Sequence, residues 1–178
     1  MHEQHYKYVS EISAKDLRDI MDRYGEDVWK YAFFLTKKTD LADDIAQEVF
    51  IKAYQSIHSF RGESTLKTWL LKITRNTSFS FRKKAYFKYH ILTRFAQANG
   101  VHPSAEETAL EREFAHEIWG QVMHLSDKYR EAILLNAHYQ FSLEEIADML
   151  QISVNTVKSR LFRARKELHK LMKGGLSS

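Results

Sequence analysis

The sequence predicts an all-α fold: two small helical domains joined by a linker, the second carrying a helix-turn-helix. Three observations lead there. Apolar residues recur at helical spacing through most of the 178 residues, and no alternating run of useful strand length interrupts them. The one proline, Pro103, lies close to Gly100, so the stretch from about Thr93 to Pro103 reads as a linker. Residues 142–168 form two apolar stripes separated by a short turn, and the second has a basic outer face. The predicted domains are 1–92 and 109–178, with the linker at 93–108.

Helices are expected near 13–24, 26–37, 40–57, 64–90, 105–124, 127–138, 142–150 and 154–172. Gly25 is expected to bend or break the first pair, because glycine is costly inside a helix. Asp40, Asp43, Asp44 and Glu48 give the 40–57 segment a local acidic patch. Residues 60–65 read as a loop leading into the helix that holds Trp69. The heavy aromatic load between Trp29 and Phe95 is mostly core at this spacing. Ser104 and Glu107 form a capping box that opens the 105–124 helix.

The C-terminal pair is the most specific signal. Ser142 is an N-cap with Glu145 three residues on, a second capping box. Leu143, Ile146, Ala147 and Leu150 then make one apolar stripe. The turn is Gln151-Ile152-Ser153, and Ser153 can cap the next helix. Val154, Val157, Leu161, Ala164 and Leu168 form that helix's buried face. Asn155, Lys158, Ser159, Phe162, Arg163 and Lys166 point elsewhere. Those side chains suit the major groove: Lys and Arg bond guanine edges or phosphates, Asn bonds adenine, and Phe162 can lie on a thymine methyl. A capped helical hairpin with a solvated basic face is the plainer alternative.

Composition bounds the rest. An apolar fraction of 44% supports a core. No apolar run is long enough to span a membrane and no signal-peptide pattern appears, so a cytoplasmic protein fits. The absence of cysteine excludes disulfides and thiolate metal sites. The net charge of +4 is modest but unevenly spread. Residues 60–90 are basic, as are residues 158–173, and two such zones suggest two contacts with a polyanion. In the first zone basic and aromatic residues interleave with Asn76, Ser78 and Ser80. Single-stranded DNA asks for that mixture: cations track the backbone and rings stack on bases. A solvated basic helix with buried aromatics is its alternative.

An enzyme is not indicated. Glu113-x-x-His116 has the spacing of a helical carboxylate–histidine metal motif, but nothing supplies a second pair. No Gly-rich phosphate loop and no His-Glu-x-x-His occurs. No catalytic residue, metal or cofactor is expected. A stand-alone regulator binding duplex DNA explains the C-terminal half, but neither the 60–90 zone nor the acidic patch.

Three segments together resemble the extracytoplasmic-function (group 4) sigma factors of bacterial RNA polymerase, in the sigma-70 family. Residues 40–54 are similar to the family's region 2.2, residues 60–76 to regions 2.3 and 2.4, and residues 125–135 with the helix-turn-helix to region 4. The resemblance implies a factor that binds core RNA polymerase and directs promoter-specific initiation. It implies that Asp44, Gln47 and Glu48 meet the clamp helices of the largest polymerase subunit. It gives −10 DNA to Phe60, Arg61, Ser64, Thr65, Trp69, Arg75, Asn76, Ser80, Lys83 and Lys84, with a flipped base held by the 60–65 loop and Asn76. It gives −35 DNA to Asn155, Thr156, Lys158, Ser159, Arg160, Phe162, Arg163 and Lys166. The implied partners are the polymerase clamp helices and flap, promoter DNA, and an anti-sigma factor that is often membrane-bound, with no direct membrane insertion by this chain. The sequence departs from the family pattern at Ser80, where Asp or Asn is common. It departs again at Gln151, where the turn often has Gly; a left-handed Gln there costs roughly 1 kcal/mol.

Overall fold

The computed structural model describes residues 13–95 and 117–175. The chain divides into two compact units, Met1–Ser104 and Ala105–Ser178. Every regular element among the described residues is helical.

In the first unit α1 (Ala14–Thr36), α2 (Thr39–Ser56) and α3 (Leu66–Phe95) pack against one another. Ser13 starts α1 through a capping box: the Asp16 amide donates to its hydroxyl at 3.2 Å and its own amide donates to the Asp16 carboxylate at 3.1 Å. The helix then runs unbroken past Gly25, against the sequence expectation of a bend. Ile20, Tyr24, Val28, Tyr31, Ala32 and Leu35 form one buried stripe across that point. Burying them outweighs a glycine penalty of about 1 kcal/mol. Lys37 ends α1 in the left-handed region at φ 59°, with its amide on the Phe33 carbonyl at 2.7 Å. Ala42, Ile45, Val49 and Ala53 are the inward stripe of α2. A single 3₁₀ turn, Ile57–Ser59, follows it.

Helix α3 is rich in hydroxyl residues, which are mediocre helix formers. Its buried face nonetheless includes Thr74, Thr77 and Ser78. Their burial is affordable in part because Thr74 donates to the Leu70 carbonyl and Ser78 to the Thr74 carbonyl, both at 2.8 Å. The helix continues to Phe95, so residues 93–95, read from sequence as linker, are helical. The remainder of that linker, the Ser104–Glu107 capping box and Glu113-x-x-His116 lie outside the described residues.

The second unit holds α4 (Glu117–His124), α5 (Asp127–Ile133), α6 (Leu143–Leu150) and α7 (Val154–Gly175). The segment expected as one helix over 127–138 is α-helical only to Ile133 and widens into a π turn, Leu134–His138. Gln140 leaves that turn in the left-handed region at φ 56°. Tyr139 and Phe141 pack into the core beside it. On the buried face of α5 stands Arg130, only 2% exposed. It donates to the Leu125 carbonyl at 2.9 Å and the Met123 carbonyl at 3.4 Å, and pairs with Asp127 at 2.7 Å. Thus it ties up carbonyls at the end of α4 that helix geometry leaves without partners.

Candidate polymerase and promoter surfaces

The helix-turn-helix forms as its sequence specifies. The Glu145 amide donates to the Ser142 hydroxyl at 3.1 Å, and the Ser142 amide donates to the Glu145 carboxylate at 2.8 Å. Ser153 caps α7, accepting from the Thr156 amide at 3.1 Å. Between them Gln151 adopts φ 55°, ψ 49°, the left-handed conformation its place in the turn threatened. The Ile152 amide reaches the Ala147 carbonyl at 3.0 Å and the Gln151 amide the Asp148 carbonyl at 3.3 Å, a Schellman pattern. The Gln151 side-chain amide adds a 2.7 Å bond to the same Asp148 carbonyl, which offsets part of the backbone cost.

Val157, Leu161 and Ala164 anchor α7 to the core. That fixes its opposite face. Asn155, Lys158, Ser159, Phe162, Arg163 and Lys166 are all exposed, Phe162 by 69%. They follow one another at helical spacing, so they share a face. Thr156 and Arg160 sit half-buried at its margin, and the Thr156 hydroxyl lies 2.8 Å from that of Ser153. Arg165 turns away and donates to Asn136 at 3.0 Å.

In the first unit the predicted DNA set separates into groups. Phe60 is 4% exposed and packs on Trp69, ring centroids 5.5 Å apart. It holds the loop in place and does not face solvent. Gly62 takes φ 66° at the loop tip, where Arg61 is exposed. Thr65 caps α3, accepting from the Thr68 amide at 3.1 Å, and the half-buried Ser64 donates to the Thr65 carbonyl at 3.3 Å. From the half-buried Trp69 the outward face of α3 runs through Lys72, Asn76 and Lys83. Arg75, Ser80 and Lys84 flank it. Ser80 donates to the Asn76 carbonyl at 3.0 Å, and the Lys84 ammonium lies 5.9 Å from the Phe81 ring centre.

Two members of the basic zone have internal duties. Lys67 pairs with Asp27 at 2.9 Å, and Arg82 donates to the Leu35 carbonyl at 3.3 Å. Both partners come from α1, far away in sequence, so composition around residue 60–90 could not reveal them.

On α2, Asp44 and Gln47 are exposed and Glu48 is half-buried. Glu48 pairs with Lys52 at 3.3 Å, and Lys52 also donates to the Thr77 hydroxyl of α3 at 3.2 Å. Asp43 is drawn aside to accept from the Trp29 indole at 2.7 Å. Two residues that sequence reasoning missed extend this face: Ile51, 52% exposed, and Tyr54, 49% exposed. The series Asp40, Asp44, Gln47, Ile51, Tyr54 keeps helical spacing, and that was the available signal. Beside Gln47 opens a groove of about 390 Å³ lined by Met21, Gly25, Glu26, Trp29, Ala46 and Phe50. A Cβ on Gly25 would meet nothing within 4 Å. Among the described residues the chain offers an acidic-to-apolar face on α2, a cationic face on α3 and a second cationic face on α7.

Comparisons with known proteins decide what they belong to. Sigma-70 region 2 matches residues 20–86, and sigma-70 region 4 matches residues 115–168. The chain belongs to the sigma-70 family. It is 33% identical over 178 residues to the ECF RNA polymerase sigma factor SigW of Bacillus subtilis, covering 94% of each chain. It is 35% identical over 169 residues to the ECF RNA polymerase sigma-E factor of Haemophilus influenzae, covering 89% of this chain and 88% of that one. Among solved structures it resembles the sigma factor RpoE of Bartonella quintana, determined in complex with the anti-sigma factor NepR. That likeness has TM-score 0.71 and 29% identity, over 90% of this chain and 98% of the other. The structure of CnrH with the cytosolic domain of CnrY shares the fold at TM-score 0.65 and 22% identity, over 91% and 90%. This ECF sigma factor therefore binds core RNA polymerase and directs promoter-specific transcription initiation. The region 2 match accounts for the N-terminal unit, which a stand-alone duplex-binding regulator leaves unexplained. No helix among the described residues is long and apolar enough to cross a membrane.

Proposed function

We propose a division of labour in which three helix faces carry separate tasks. The unit at 109–178 reads the −35 element by laying the outward face of α7 in the major groove. The observation that carries this is the exposure of Asn155, Lys158, Ser159, Phe162, Arg163 and Lys166 together on one face with no acidic residue among them. Arg163 and Lys158 supply bonds to guanine edges or phosphates, Asn155 to adenine, and Phe162 an apolar contact to a thymine methyl. The unit at 1–92 takes the −10 element once its strands part. Asn76 and the loop around Arg61, Ser64 and Thr65 hold a base out of the stack, while Lys83 and Lys84 meet phosphates. Trp69, seated on the buried Phe60, stiffens the loop. Separated strands favour this grip, because an unpaired base costs least to take out of the stack.

Asp44, Gln47 and Glu48 on α2 meet the clamp helices of the polymerase largest subunit, and the C-terminal unit meets the flap. The chain works in the cytoplasm as a binding factor and catalyses no reaction itself. The Bartonella relative was captured with an anti-sigma factor, and the 29% identity over most of both chains supports a partner of that kind here. In this family such a partner is often membrane-bound.

The test is Lys158→Ala combined with Arg163→Ala, assayed as holoenzyme on a cognate promoter mapped by run-off transcription. Each lost base contact is worth about 1–3 kcal/mol, so promoter affinity falls by roughly 30-fold or more. Affinity for core polymerase stays as in the parent. Equal loss of both would overturn the assignment.

A further inference from the structure

Phe79 is a large apolar side chain left partly in solvent. It lies on the outward face of α3, 42% exposed, between Asn76 and Lys83. The other aromatic side chains described on α3, Trp69 and Phe81, are half-buried. The Arg75 guanidinium lies over the Phe79 ring, 4.7 Å from its centre. Helical rise sets Phe79 about 4.5 Å beyond Asn76 and about 6 Å short of Lys83 along the axis. The face thus presents, in order, a hydrogen-bonding amide, a ring and a cation. Adjacent bases sit about 3.4 Å apart along a stacked strand and further apart once it is extended. Asn76 and Phe79 are therefore spaced for neighbouring bases of one unpaired strand.

We propose that Phe79 is a stacking platform for an unpaired nucleobase of melted promoter DNA, next to the base held at Asn76. The inference rests on the single-strand reading of the N-terminal unit and adds a specificity determinant to it. Arg75 acts as a positioning residue: its cation steadies the ring and stands close to the phosphate that joins the two bases. A ring reads the π-face of a base and makes no hydrogen bond to its edge. At this position the promoter preference is for base size, purine over pyrimidine, and not for one base identity. The occupant is nucleic acid because Arg75 lies over the ring and Lys72, Lys83 and Lys84 stand within two turns of it on the same helix, with no acidic residue between them.

The experiment uses the full chain assembled with core RNA polymerase. The probe is a fork whose upstream half is a mapped promoter duplex and whose non-template strand ends in a randomised 12-nucleotide single-stranded tail. Bound tails are sequenced and affinities measured. The parent enriches purines at one tail position next to a position read more sharply. Phe79→Trp keeps that enrichment. Phe79→Leu loses it at that position alone, with affinity down roughly 5- to 100-fold and polymerase assembly unchanged. A Phe79→Leu holoenzyme that selects the same tails with the parent's affinity overturns the platform. A parent that enriches no tail base overturns the single-strand reading itself, and the platform with it.

Discussion

The two units carry positive charge in different ways. On α7 the cations that sequence placed outward stand outward: Lys158, Arg163 and Lys166 are exposed, and Val157, Leu161 and Ala164 hold the helix at a fixed rotation. In the N-terminal unit part of the positive charge is internal cement, because Lys67 closes an ion pair with α1 and Arg82 caps the end of α1. A single amphipathic helix decides its outer face locally. A basic zone on one of several packed helices is divided by contacts that arrive from elsewhere in the chain. The lesson is that a cation count overstates a nucleic-acid surface wherever α1 can reach it.

Three measurements press on that contrast. The largest effect is expected where a cation of the C-terminal unit does behave as cement. Arg130→Ala strands two carbonyls and empties a buried volume, costing about 2–4 kcal/mol. Denaturant unfolding of the full chain should show that loss in the C-terminal unit's transition. Arg130→Lys should rescue little, because an ammonium cannot reproduce the planar fork; full rescue would make the site a generic positive charge.

A smaller effect separates working cations from cement in the N-terminal unit. Lys83→Ala should lower the salt slope of holoenzyme binding to a melted promoter by about one phosphate's worth, and Lys67→Ala should leave the slope unchanged. Equal slopes for both variants would erase the distinction. Smallest is Gln151→Gly. Relief of the left-handed strain is offset by the lost Asp148 bond and the entropy of glycine, so stability should stay within about 0.5 kcal/mol of the parent's. A near-parental thermal midpoint with unchanged promoter choice is the expected readout, and a large rise would show that the strain is not offset.

How much was legible in sequence follows the same divide. Caps are local chemistry, so Ser142, Glu145 and Ser153 announced the helix-turn-helix, and its outward face followed from period alone. Gly25 misled because propensity was weighed without the buried stripe that carries α1 through it. The π turn after Ile133 has no local signature, since Tyr139 and Phe141 reach the core through tertiary packing. The burial of Phe60 has no local signature either, since a loop aromatic and a core aromatic look alike in sequence and only the packing on Trp69 separates them. Arg130 went unnoticed for the converse reason: a buried guanidinium satisfied by backbone carbonyls reads in sequence like any surface arginine.

The way α7 is held also bears on how such a protein can change over generations. Its rotation is fixed by Val157, Leu161 and Ala164 and its start by Ser153, none of which belongs to the outward six. Substitution among those six alters no core contact. If they read the promoter, a lineage can drift toward new target genes one residue at a time, with each intermediate still folding and still joining the polymerase.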